Sequence, residues 1–160
     1  MAACQLNMCK ARSSGTPKAG IRMSTSLATL LLVDDDNDSV EAFQALLETV
    51  GYTVIPAHSV RDALDVLDAH PEIGVVISDI RMPDVDGLDL VRVLRHRFPG
   101  LPCILVSGAV LTDDDVIPRE TAVIMSKPVD IHHLQRAIEQ ALKNRRRGTP
   151  PRTQSRPPGG

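Results

Sequence analysis

VVISDIRMPDVDGLDL, residues 75–90, divides into three parts. Val75 to Ser78 continue an apolar run from Gly74 and end at a carboxylate, Asp79, as a strand buried on both faces would. MPDVDG (82–87) has the Pro, Asp and Gly of a loop, with Asp84 and Asp86 placed to shape the turn and cap the next helix. Leu88 then opens a helical spacing continued by Val91, Leu94 and Phe98 and closed by Pro99-Gly100. The stretch is a strand, a loop and a helix, with an aspartate at the carboxyl end of the strand.

The same unit recurs on both sides. TLLLV (29–33) reads as a buried strand, and Val40, Phe43, Leu46, Leu47 and Val50 come after it at helical spacing. Asp38 with Glu41 has the pattern of a capping box, and Gly51 stands where a C′ glycine ends a helix. Tyr52 to Ile55 predicts a second strand. Ser59 caps a helix carrying Val60, Ala63, Leu64 and Leu67, which stops before Pro71. GVVIS (74–78) is the third strand, Cys103 to Val106 the fourth and Ala122 to Met125 the fifth. Between the last two, Thr112 can cap a helix with Asp113 to Asp115 in its first turn, but Pro118 limits it to about two turns. Ile131, Leu134, Ile138 and Leu142 form one face of a final helix that Asp130 can cap. Five short apolar strands alternating with helices predict an α/β fold, a parallel sheet covered on both faces. Ligands of such sheets bind beyond the carboxyl ends of the strands, at a switch point in strand order.

Of the 160 residues, 42% are hydrophobic and 24% charged, as in soluble globular proteins. No apolar run approaches the roughly 18 residues of a membrane span. The three cysteines, Cys4, Cys9 and Cys103, form no Cys-x-x-Cys pair, and their usage suits a reducing cytoplasm. A net charge of −2 conceals an uneven layout, because all 20 acids lie between Asp34 and Glu139 while basic residues concentrate near the ends. The acidic centre argues against direct nucleic-acid binding. Residues 1–27 read as a disordered leader, with Met23 a second possible start; residues 28–146 as the folded domain; and 147–160 as a disordered Pro/Gly-rich basic tail.

The strand ends carry the chemistry. Asp34-Asp35-Asp36 stand after the first strand, Asp79 after the third, Ser107 after the fourth and Ser126-Lys127-Pro128 after the fifth. Carboxylates converging at one rim repel, and a hard divalent cation with oxygen ligands relieves them. Lys127 supplies a point charge for phosphate and Ser107 a hydroxyl donor. Such a site suits an acyl phosphate formed on a carboxylate.

These residues also carry a resemblance. LLVDDD (31–36), VVISDIRMPDVDGLDL (75–90), ILVSG (104–108) and SKPVD (126–130) resemble the receiver domains of two-component response regulators, over about residues 28 to 143. The resemblance implies a flavodoxin-like sheet of strand order 2-1-3-4-5 and phosphorylation at Asp79. It also implies Mg²⁺ held by Asp34, Asp35, Asp79 and the backbone carbonyl of Arg81. Ser107 and Lys127 would contact the phosphoryl group, and a cis peptide would precede Pro128. Sensor histidine kinases or phosphotransfer proteins would be the donors. With no second domain evident after Lys143, an output protein would read the switch by contact. Ile124 stands where many receivers carry an aromatic switch residue, and the helix after Thr112 is short, so the readout differs from an aromatic relay.

Two other readings stay open. A phosphatase of the haloacid-dehalogenase type also uses an aspartyl phosphate with Mg²⁺, and Asp34-x-Asp36 fits its motif, although Asp38 occupies its Thr/Val place. A degenerate receiver serving only as a docking unit is the other. A calcium loop beginning at Asp34 fails, because Ser39 and Ala45 stand where Gly and Glu are needed. His132-His133 reads as a solvated pair in a helix's first turn.

Overall fold

The computed structural model describes residues 26–109 and 122–148. The elements are β1 (Thr29–Val33), α1 (Asn37–Val50), β2 (Thr53–Ala57), α2 (Val60–Ala69), β3 (Ile73–Asp79), α3 (Gly87–Arg97), β4 (Cys103–Ser107), β5 (Ala122–Ser126) and α4 (Ile131–Gly148). All five strands pair in parallel in the order β2-β1-β3-β4-β5. The short helix expected after Thr112 lies outside the described residues.

Strand alternation sends side chains to two cores. Leu31, Val33, Val76 and Leu105 point to one face, where Ala63 and Leu67 of α2 and Leu90, Val91 and Leu94 of α3 cover them. Leu30, Leu32, Ile77, Ile104 and Val106 point to the other, under Val40 and Leu47 of α1 and Leu134 and Ile138 of α4. Pro56 falls in β2 at the sheet edge, where its missing N–H leaves no ladder bond unmade.

The helix ends show how locally the sequence acts. Ser59 accepts from the Asp62 N–H, Asp86 from those of Leu88 and Asp89, and Asp130 from that of His133. At the end of α1, Gly51 is left-handed (φ 110°) and its N–H bonds to Glu48 O. The Tyr52 N–H reaches Leu47 O, completing a Schellman motif. Tyr52 therefore belongs to the helix end, and β2 begins one residue later than its apolar run suggests.

Further boundaries also differ from the sequence reading. The cap of α1 is Asp36, not Asp38. Asp36 is the extended residue (φ −88°, ψ 110°) at the helix entrance, and its carboxylate accepts from the Asp38 N–H and the Ser39 hydroxyl. At the front, Leu27 donates to Gly51 O at 3.0 Å, so the pairing of chain with the α1–β2 corner starts before residue 28. At the back, α4 continues two residues past 146. Arg145 Nη1 donates to the Ile73 carbonyl at 2.6 Å, and Leu142 fills the space left by Gly74, which fastens the last turn to the start of β3.

Leu46 and Leu47 are neighbours with opposite environments: Leu47 is fully buried, Leu46 is 39% exposed. Leu47→Ala should lower stability by about 2–5 kcal/mol, whereas Leu46→Ala should change it by only about 0.5 kcal/mol. Urea unfolding of the two variants checks this; equal losses would contradict the packing described.

Candidate functional site

β1 and β3 are adjacent, so the residues after them emerge side by side at the carboxyl end of the sheet. Asp34 stays tied to the sheet through its N–H, which bonds to Ala57 O, and its Oδ1 accepts from the Asp36 N–H at 3.1 Å. Asp79 closes β3, and its Oδ1 accepts from the Arg81 N–H at 2.9 Å. Lys127 arrives from the far side of β4. Its N–H bonds to Ser107 O at 2.7 Å, and the Lys127–Pro128 peptide is cis.

The Lys127 ammonium spans the two carboxylates. Nζ lies 2.7 Å from Asp79 Oδ2 and 3.4 Å from Asp34 Oδ2. The carboxylate side chains are only 13% and 11% exposed, so water screens them poorly. Burial by itself would depress the lysine pKa. The hydrogen bond and charge of Asp79, then the charge of Asp34, outweigh that, and the pKa is raised. One ammonium against two carboxylates leaves the floor of the site net negative.

Asp35 is exposed, and among the described residues no three His, Cys, Asp or Glu side chains are gathered closely enough to hold a metal by themselves. The Ser107 hydroxyl is buried but turned to its own loop, donating to Ala109 O at 2.8 Å and accepting from the Ala109 N–H at 3.2 Å. Arg81 meets Asp79 through its amide. Ile124 pairs in register with Leu105 and packs partly buried against the α2/α3 core. His132 and His133 are exposed at the start of α4. The donor set at the floor is oxygen throughout and carries excess negative charge. It therefore fits a small hard cation that keeps several waters, and not the nitrogen and sulfur donors of a structural zinc site.

Two positioning features were missed in the sequence. A Cβ at Gly87 would collide with the Asp79 carbonyl oxygen and crowd Ile80 Cα, so only glycine lets α3 start this close to the end of β3. The Asp86-Gly87 dipeptide was the only signal, and it reads equally well as an ordinary turn. Ser78, fully buried, donates its hydroxyl to the same Asp79 carbonyl at 2.9 Å. No spacing in the sequence marks it.

The raised Lys127 pKa sets a sign. Its pairing contributes in full below the ordinary lysine value of 10.5 and is lost as pH rises through the higher folded value. The stability difference between wild type and Lys127→Met should be flat from about pH 7 to 9 and should shrink above about 10.5. Urea unfolding at several pH values measures it; a difference that persists unchanged to about pH 12 would contradict the assignment.

Comparison with known proteins identifies the family and agrees with the sheet order. Residues 30–139 match the response regulator receiver domain family. Transcriptional regulatory protein GlrR of Escherichia coli is 36% identical over 123 residues, covering 76% of this chain and 28% of that protein. Response regulator Rre1 of Synechocystis is 36% identical over 119 residues, covering 71% of this chain and 51% of that protein. The chain thus spans between about a quarter and a half of these two relatives. A receiver domain crystal structure from Clostridium thermocellum superposes with a TM-score of 0.70 at 29% identity, covering 75% of this chain and 98% of that one. With the family match over residues 30–139 and these relatives, the chain belongs to the response regulator receiver domain family of two-component signal transduction.

Proposed function

We propose that Asp79 is the phosphoacceptor of a signalling switch, taking a phosphoryl group from a sensor histidine kinase or phosphotransfer protein. The observation that carries this reading is the position of its carboxylate. It is largely buried, with one oxygen on the Arg81 amide and the other on the Lys127 ammonium, at the carboxyl end of the sheet. In the transfer, an Asp79 oxygen attacks phosphorus and the bond to the donor's imidazole nitrogen breaks, the electron pair returning to the ring. Lys127 is placed to offset charge on the phosphoryl oxygens. Ser107 can donate to one of them once its hydroxyl leaves the Ala109 carbonyl.

Mg²⁺ would be held by Asp34, Asp35, Asp79 and the Arg81 carbonyl, and when bound it supplies charge neutralisation for the transferring group. A signalling switch of this kind is not an enzyme in the ordinary sense; at most it catalyses its own phosphorylation and dephosphorylation. Output is by contact with another protein, without direct nucleic-acid binding by this domain. No helix among the described residues is long and apolar enough to cross a membrane. The phosphatase alternative loses support from Asp36. Its carboxylate is committed to capping α1, so the second aspartate of an Asp-x-Asp motif is already engaged.

Intact-mass spectrometry after incubation with acetyl phosphate and Mg²⁺ should show one added phosphoryl group. The adduct should be absent in Asp79→Asn and in wild type treated with a chelator. An equal yield in Asp79→Asn would sink the assignment, and continuous release of inorganic phosphate with no stable adduct would favour a phosphatase.

A further inference from the structure

Among the described residues three polar side chains are buried: Asp34, Ser107 and Ser78. The first two belong to the site already described. Ser78 is completely buried in β3, one residue before the acceptor, in a strand whose other interior positions are apolar or glycine. A hydroxyl there adds little to packing and has to be hydrogen-bonded.

Its partner is a carbonyl that the sheet leaves unserved. β1 pairs with β3 only as far as Val33–Ser78, and the next N–H along the chain, that of Asp34, turns to Ala57 O. The Asp79 carbonyl therefore lies beyond the last rung, and Ser78 Oγ donates to it at 2.9 Å. Gly87 closes on the same oxygen from α3, so tightly that a Cβ would collide with it. The groups that follow are also tied. The Ile80 N–H donates to Val106 O at 3.0 Å, and the Ile80 carbonyl accepts from the Gly87 N–H at 2.8 Å. The Arg81 N–H goes to Asp79 Oδ1 at 2.9 Å. From the Asp79 carbonyl to the Arg81 amide every polar backbone group is held, and Ser78 supplies the tie made by a side chain outside that stretch.

We infer that the Ser78 hydroxyl is a positioning group for metal binding, fixing the peptide between the two residues that would supply Mg²⁺ ligands, Asp79 and Arg81. The inference rests on the Mg²⁺ reading above. Ser78 acts through the Asp79 carbonyl and not as a ligand. Mg²⁺ demands near-ideal octahedral geometry at short distances, so a small displacement of a backbone ligand weakens its binding. Without the hydroxyl the Asp79 carbonyl loses this donor and the 79–81 backbone is freer to rotate.

The melting temperature of the full chain, followed as Mg²⁺ is raised, reads the affinity by mass action on the folded state. In Ser78→Ala the Mg²⁺ concentration needed for a given rise should increase about tenfold. Ser78→Thr keeps a hydroxyl and should stay close to wild type. Ile77→Val shortens the buried side chain next door; it should lower the starting melting temperature and leave the Mg²⁺ response unchanged. An unchanged response in Ser78→Ala, an equal loss in Ile77→Val, or Ser78→Thr as weak as Ser78→Ala would each overturn the positioning role. A wild type with no response to Mg²⁺ would overturn the Mg²⁺ reading itself.

Discussion

Two poorly hydrated carboxylates are held within reach of one ammonium at the end of the sheet, and much of the structure depends on that constraint. Asp34 and Asp79 would repel each other at this depth without a cation between them. The lysine that answers them comes from beyond β4, at the edge of the sheet. The site therefore forms only when β1, β3, β4 and β5 are assembled in the observed order. The fold and the charge arrangement are one problem: strand pairing places the carboxylates, and Lys127 makes their placement tolerable.

The same backbone carries a second element of the site. The Lys127 N–H is bonded to the Ser107 carbonyl, while the Ser107 hydroxyl is bonded to Ala109. A change in charge at Asp79 would act on the lysine side chain directly and on the loop after β4 through this short connection. Ile124 sits nearby in β5, aliphatic and half-buried, opposite Leu105. It offers no ring to rotate, and the described link between the floor and the end of β4 is the Lys127–Ser107 backbone bond.

Most of the architecture was legible because local and long-range signals agree along this chain. Ser59, Asp130 and Gly51 stop and start helices by bonds that span two to five residues, and such bonds depend little on tertiary context. The strands were legible because burial on both faces makes them continuously apolar. The convergence of Asp34, Asp79 and Lys127 was expected from the rule that parallel sheets bind ligands beyond their carboxyl ends. What escaped depends on distances between residues remote in sequence or on choices between equivalent neighbours. Asp36 and Asp38 are both good caps, and only the backbone path out of β1 selects the first. Gly87 looks like a turn residue until the Asp79 carbonyl is seen against it. Leu46 satisfies the helical period as well as Leu47 does, and only the packing of α1 on the sheet shows which of the two neighbours is buried.

The central claim is that, of the carboxylates around Lys127, Asp79 alone bonds to phosphorus. Borohydride reduction of the phosphorylated chain converts an aspartyl phosphate into homoserine and fixes its place in the sequence. After reaction with acetyl phosphate and Mg²⁺, peptide mapping should find homoserine at residue 79 and aspartate unchanged at residues 34 and 35. Homoserine at Asp34 or Asp35 in place of Asp79 would contradict the account.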